Sequence, residues 1–199
     1  MSDGPGATVG DPADDRPTDP ATPPHRLVRG TVAIDDLDAF LSRLDGIAAE
    51  TGAVVQAFDA DLVVSDDHLR AATRLAARAI ARGEAVARDP GVEVLLYAAG
   101  RRQIDRALAL GVSEGEQRAV VLVADFGGVD GADRPAADLD AAAAAVEEIA
   151  TPVDAEAETG FDADRVAAFF GVSDRELAAT AGGLADIVRE RVALLDVEK

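Results

Sequence analysis

Four short apolar runs constrain what this chain can fold into. Leu27–Ile34, Ala53–Phe58, Val92–Tyr97 and Arg118–Phe126 read as strands. The last two are nearly unbroken, the pattern of a strand buried on both faces. Segments with helical spacing separate the runs. Asp36 or Asp38 caps a helix to Glu50, with Leu37, Phe40, Leu41, Leu44 and Ile47 on its apolar side and Gly52 at its end. A second helix runs from about Asp67 to Arg82, stopped by Gly83, and a short one from Arg101 to Leu110, closed by Gly111. Residues 127–140 are loop-like, and "LDAAAAAVEEIA" is helical by propensity. Helices then follow over Asp162–Phe170, Ser173–Thr180 and Leu184–Leu195. The pattern predicts an α/β (α+β) fold: one compact domain over residues 25–199, with a small mixed sheet of about four strands, flanking helices and a helical C-terminal part.

Residues 1–24 stand apart. They hold six of the nine prolines and five aspartates, too few apolar groups to offset chain entropy, and read as a disordered tail. The chain has no cysteine, which excludes disulfides, thiolate metal sites and cysteine nucleophiles. No apolar run approaches ~20 residues, and no secretory signal pattern opens the chain, so a cytoplasmic protein is expected. Acidic residues outnumber basic ones 38 to 19, and all basic residues but Lys199 are arginine. Such self-repulsion is tolerable where salt screens it, the Debye length being about 3 Å at 1 M.

One window opposes this charge. Between His68 and Arg106 lie eight arginines and four acids, a net of +4, while the rest of the chain nets −23. Arg70, Arg74, Arg78 and Arg82 recur every fourth residue and form one stripe on a helix, with Ala72, Leu75, Ala76 and Ala79 broadly opposite. Like charges at this spacing need an anion, either the protein's own carboxylates or nucleic-acid phosphates, which suit the planar guanidinium fork. Arg101 and Arg102 follow the Val92–Tyr97 run and Gly100, and on this reading open a helix whose N–H groups also favour anions.

These residues resemble a known family. "FDADLVVSDDHLRAATRLAARAIARG" followed by "VEVLLYAAGRRQIDRALALGV" is similar, in order and spacing across about Phe58 to Val123, to the regulatory subunit of the KEOPS complex, the PRPK-binding protein family. The closing "VRERVALLDV" is similar to that family's last helix. The resemblance implies a non-enzymatic subunit that docks on the complex's small kinase/ATPase and influences its activity. It also implies capture of tRNA through the single-stranded 3′ CCA end, in an assembly that installs N6-threonylcarbamoyladenosine beside the anticodon. On this reading the RNA surface comprises His68, Arg70, Arg74, Arg101, Arg102 and Gln103, with guanidinium planes standing in for scarce aromatics. The helices at 37–50 and 184–195 are candidates for an apolar patch facing the kinase.

Other constellations are weaker. His68, near Ser65, Asp66 and Asp67, has neither a base partner nor an oxyanion site signalled beside it; the plainer reading is an imidazole that caps or packs at a helix start. No phosphate-binding loop, cofactor, metal ligand set or small-molecule substrate is indicated. "RVAAFFGVSDREL" fits a helix-turn-helix and makes a DNA-binding protein using residues 162–180 the alternative, although Asp174 and Glu176 would repel phosphates. A plain scaffold, with every arginine paired internally, is the third reading.

Overall fold

The computed structural model describes residues 21–153 and 160–196. Most of the tail expected over residues 1–24 therefore lies outside the described residues. The elements in chain order are β1 (His25–Ile34), α1 (Leu37–Thr51), β2 (Val54–Asp59), α2 (Asp66–Ala81), α3 (Pro90–Ala98), α4 (Ile104–Ala107), β3 (Gly115–Ala124), α5 (Leu139–Glu147), α6 (Ala163–Phe170), α7 (Asp174–Ala179) and α8 (Leu184–Leu194). The mixed α+β class expected from the sequence holds. The sheet has three strands rather than four, in the order β1-β3-β2, and is antiparallel throughout rather than mixed.

β3 is central, and its side chains alternate between two cores. Val120, Leu122 and Ala124 join Phe58 on the face covered by α2, α3, α6 and α8. Ala119, Val121 and Val123 join Val28, Val32 and Ala57 on the face covered by α1 and α5. Burial on both faces explains the unbroken apolar run of this strand. At the β1 edge the two backbone hydrogen bonds between Thr31 and Thr151, at 2.8 and 2.9 Å, make a single bridge. Gly30 lets that segment lie close, since a Cβ there would stand 2.7 Å from the Thr151 carbonyl oxygen.

The acidic composition supplies the helix starts. Asp36, Asp89, Asp138 and Asp162 each accept a backbone N–H in the first turn of α1, α3, α5 and α6. Those carboxylates also favour the positive end of the helix dipole.

The largest correction concerns Val92–Tyr97, which is helical rather than a strand. Asp89 accepts from Val92 N at 3.1 Å and Pro90 sits in the first turn, so a capped α3 begins where β structure was expected. Nearly all of α3 is buried, so its sequence is apolar on every side and carries no helical period to read. The Arg101–Leu110 helix shrinks to α4 with a 3₁₀ turn at Leu108–Leu110. α7 and α8 are separate helices, parted at Gly182-Gly183.

Candidate nucleic-acid interface

The turn after α3 is where distant parts of the chain converge. Gly100 takes a left-handed backbone (φ 60°), which reverses the chain after the helix. Arg101 and Arg102 then lie between two helices and do not open one. This removes the expected helix N-terminus from the site. Gln103 is the first-cap residue of α4 but makes no side-chain capping bond, and it stands exposed.

The two guanidinium groups hold the ends of other helices. Arg101 donates through Nη2 to the Phe169 carbonyl oxygen, and its guanidinium lies 5.0 Å from the centroid of the Phe169 ring. Arg102 donates through Nη2 to the Leu195 carbonyl oxygen at 2.9 Å. Arg191 donates to the Phe170 carbonyl and grips both Glu176 carboxylate oxygens at 2.8 and 2.9 Å. The last carbonyls of a helix have no partner within it and carry the negative end of its dipole. Three arginines thus close α6 and α8. For Arg101 and Arg102 the acceptors are carbonyls, not carboxylates, so no full negative charge cancels theirs at these contacts.

The α2 stripe is treated differently. Its alanine-rich face is buried as expected, and Arg70 and Arg74 are exposed. Arg70 lies 3.0 Å from Asp67, which also stands 3.8 Å from Arg189 of α8. Arg78 lies 2.8 Å from Asp196, and the Tyr97 hydroxyl donates to Asp196 at 3.3 Å. Burial pushes the Tyr97 phenol well above its usual range, helped by the charges of Asp196 and Glu93 and opposed by Arg102. Arg74 has no carboxylate within ion-pair distance among the described residues. The stripe is therefore part-compensated, with a gap at its second position.

His68 is not a surface residue, and this corrects its assignment to the RNA face. Its side chain is fully buried, Nε2–H donates to the Ala98 carbonyl oxygen at 2.8 Å, and the ring packs edge-on to Phe170 at 6.0 Å. Nδ1 is buried with no hydrogen-bond partner among the described residues. Burial lowers the imidazole pKa to about 4, with the Ala98 hydrogen bond opposing the shift, so the ring is neutral at pH 7. Its work is to fasten the start of α2 to the end of α3.

The structure thus brings His68, Arg101 and Arg102 together with the ends of α3, α6 and α8, while Arg70 and Arg74 face outward on α2. Residues that the sequence reading missed are Phe169, Asp196, Arg189 and Arg191. Phe169 had a signal, since "FFGV" holds two of the six phenylalanines in an aromatic-poor chain. The helices at 37–50 and 184–195 turn their apolar faces inward, Phe40 and Leu44 on one and Ile187, Val188 and Val192 on the other. Leu41 of the first and Leu194 of the second are nevertheless exposed, as are Ile104 and Leu108.

A second cluster ties α6 to the end of β2. Arg165 reaches Asp59 at 2.6 Å and Asp61 at 3.0 Å, and Asp61 also receives Arg118. The bond to Asp59 is the main reason the Arg165 guanidinium holds its proton even more firmly than usual. A tight turn with Gly171 at φ 65° joins α6 to α7. α7, however, has six residues, none buried, and opens with Asp174 and Glu176. It offers a duplex no cationic reading face.

Among the described residues no three His, Asp or Glu side chains converge as a metal ligand set, and no helix is long and apolar enough to cross a membrane. A family model described as kinase binding protein CGI-121 matches residues 38–196, most of the chain. No curated protein matches.

Proposed function

The chain belongs to the kinase binding protein CGI-121 family, and on that premise we propose that it is a non-catalytic, cytoplasmic subunit of the KEOPS tRNA-modification complex. In this reading it docks on the kinase/ATPase subunit, regulates it, and holds tRNA by the single-stranded 3′ CCA end during N6-threonylcarbamoyladenosine synthesis. The RNA face consists of Arg70, Arg74, Arg101, Arg102 and Gln103. His68 supports it from beneath by joining α2 to α3.

The observation that carries the RNA part is the carbonyl engagement of Arg101 and Arg102. Among the described residues no carboxylate pairs with either, which supports an external anion over the plain-scaffold reading. A phosphate offers a full charge and a fork geometry that a lone carbonyl lacks. The Arg101 guanidinium, already lying over Phe169, forms part of a flat surface of the kind on which an unpaired base stacks. Direct contacts of this sort survive in salt that screens long-range attraction.

Binding of tRNA with and without its CCA end tests the proposal. Arg74→Glu is the clean probe, because among the described residues that side chain holds no partner. We expect it to weaken intact tRNA about three- to tenfold and to lower the salt dependence by about one ion. It should leave tRNA lacking CCA, already poorly bound, unchanged. Equal binding of both tRNAs by the wild type overturns the CCA reading. Failure to co-purify with the kinase/ATPase subunit, or to alter its ATP hydrolysis, overturns the docking half.

A further inference from the structure

The end of α8 sits on Arg102 of the proposed RNA face and on Arg78 and Tyr97 beside it. The Leu195 carbonyl takes Arg102, and the Asp196 carboxylate takes Arg78 and the Tyr97 hydroxyl. The Asp196 side chain is only 6% exposed, so water does little to satisfy it and these partners hold it. Arg78 belongs to α2, Tyr97 to α3, and Arg102 to the turn behind α3. One short terminus thus bridges both halves of the cationic surface.

We propose that the last turn of α8 is an internal stand-in for phosphate. Its carboxylate and its terminal carbonyl take the guanidinium donors of Arg78 and Arg102 that the backbone of a bound single-stranded RNA also requires. RNA binding and the seated α8 end are then competitors. Each weakens the other by the same factor, because coupling between two binding events is reciprocal. The proposal deepens the RNA reading above and rests on it. The Arg102 contact favours exchange: a carbonyl carries no full charge and is a poorer guanidinium partner than a phosphate. Behind it Val192 is buried and Leu195 packs partly buried against the core, whereas Leu194 is half-exposed, so the final turn has an apolar seat on one side only.

The test uses the full chain, intact tRNA as probe, and two substitutions on the same segment. Asp196→Asn removes the stand-in charge. Glu190→Gln removes an equal charge from an exposed position of α8 with no partner among the described residues, and so reports the plain electrostatic gain. We expect Asp196→Asn to bind tRNA about fivefold more tightly than Glu190→Gln, at the low end of measured couplings. Amide hydrogen exchange over residues 192–196 should quicken when tRNA is added to the wild type. The proposal is overturned if both variants bind alike and tRNA leaves those amides unchanged or slower, even though the wild type binds RNA. If neither wild type nor Asp196→Asn binds tRNA, the RNA reading fails and this device fails with it.

Discussion

The face of the sheet covered by α1 and α5 and the helical end formed by α6, α7 and α8 are held by different physics. On the first, Val28, Val32, Phe40, Leu44, Val121 and Val146 are buried together and need no directional partner. At the helical end, α6 and α8 bury Val166, Phe170, Val188 and Val192, α7 buries nothing, and arginines add directional ties: Arg101 and Arg191 to the end of α6, Arg102 to α8, Arg165 to the end of β2. Burial is non-directional and tolerates small shifts. A guanidinium bond to a helix end is lost once the helix moves by an ångström or two. The helical end is therefore the part that can respond to an anion, and the sheet is the part that cannot.

Substitutions can break this contrast, and the greatest effect is expected in the core. Phe40→Ala, at a buried position of α1 on the first face, should cost about 3–5 kcal/mol, measured as a urea midpoint shift that changes little with salt. Next comes acid. The buried His68 has a folded pKa of about 4 against 6.5 when unfolded, so the unfolded chain takes up the proton first. Its contribution is complete above pH 6.5, falls as pH drops toward 4, and changes no further below that. The loss is about 3 kcal/mol. His68→Gln should flatten that part of the stability curve, leaving only the carboxylates' share.

Smaller effects belong to the arginines, and they sharpen the comparison by being local. Arg102→Ala should cost about 2 kcal/mol, the scale of a hydrogen bond from a charged donor. Amide exchange should speed up in α8 while β3 keeps its protection. Uniform acceleration across the molecule would show that the two regions unfold as one. Arg165→Gln should cost about 1 kcal/mol or less, because that side chain is nearly half exposed and screened. The cost should shrink further in high salt.

Local signals in the sequence were legible, and distant partners were not. Asp36, Gly52 and Gly83 mark helix ends through bonds to residues a few positions away, and the arginine stripe follows from a spacing of four. Val92–Tyr97 was misread because an element buried on all sides has no polar face to reveal its period; the Asp89-Pro90 pair held the correcting signal. The weight of Arg101 and Arg102 was visible as a local charge anomaly. Their partners lie 68 and 93 residues away, and no spacing rule connects a side chain to one particular carbonyl at that range. His68 shows the same limit: that its imidazole caps or packs at a helix start was legible, but Phe170 and the Ala98 carbonyl as its partners were not.

The Thr31–Thr151 bridge bears on how molecules of this protein stay apart. An open strand rim is a template for stacking chain upon chain, and charged proteins ordinarily resist this by mutual repulsion. Strong salt removes that repulsion, leaving geometry as the remaining guard. Thr151, lying flat over Gly30, already fills the middle of the rim, so a neighbouring molecule meets a plugged groove there rather than a free ladder.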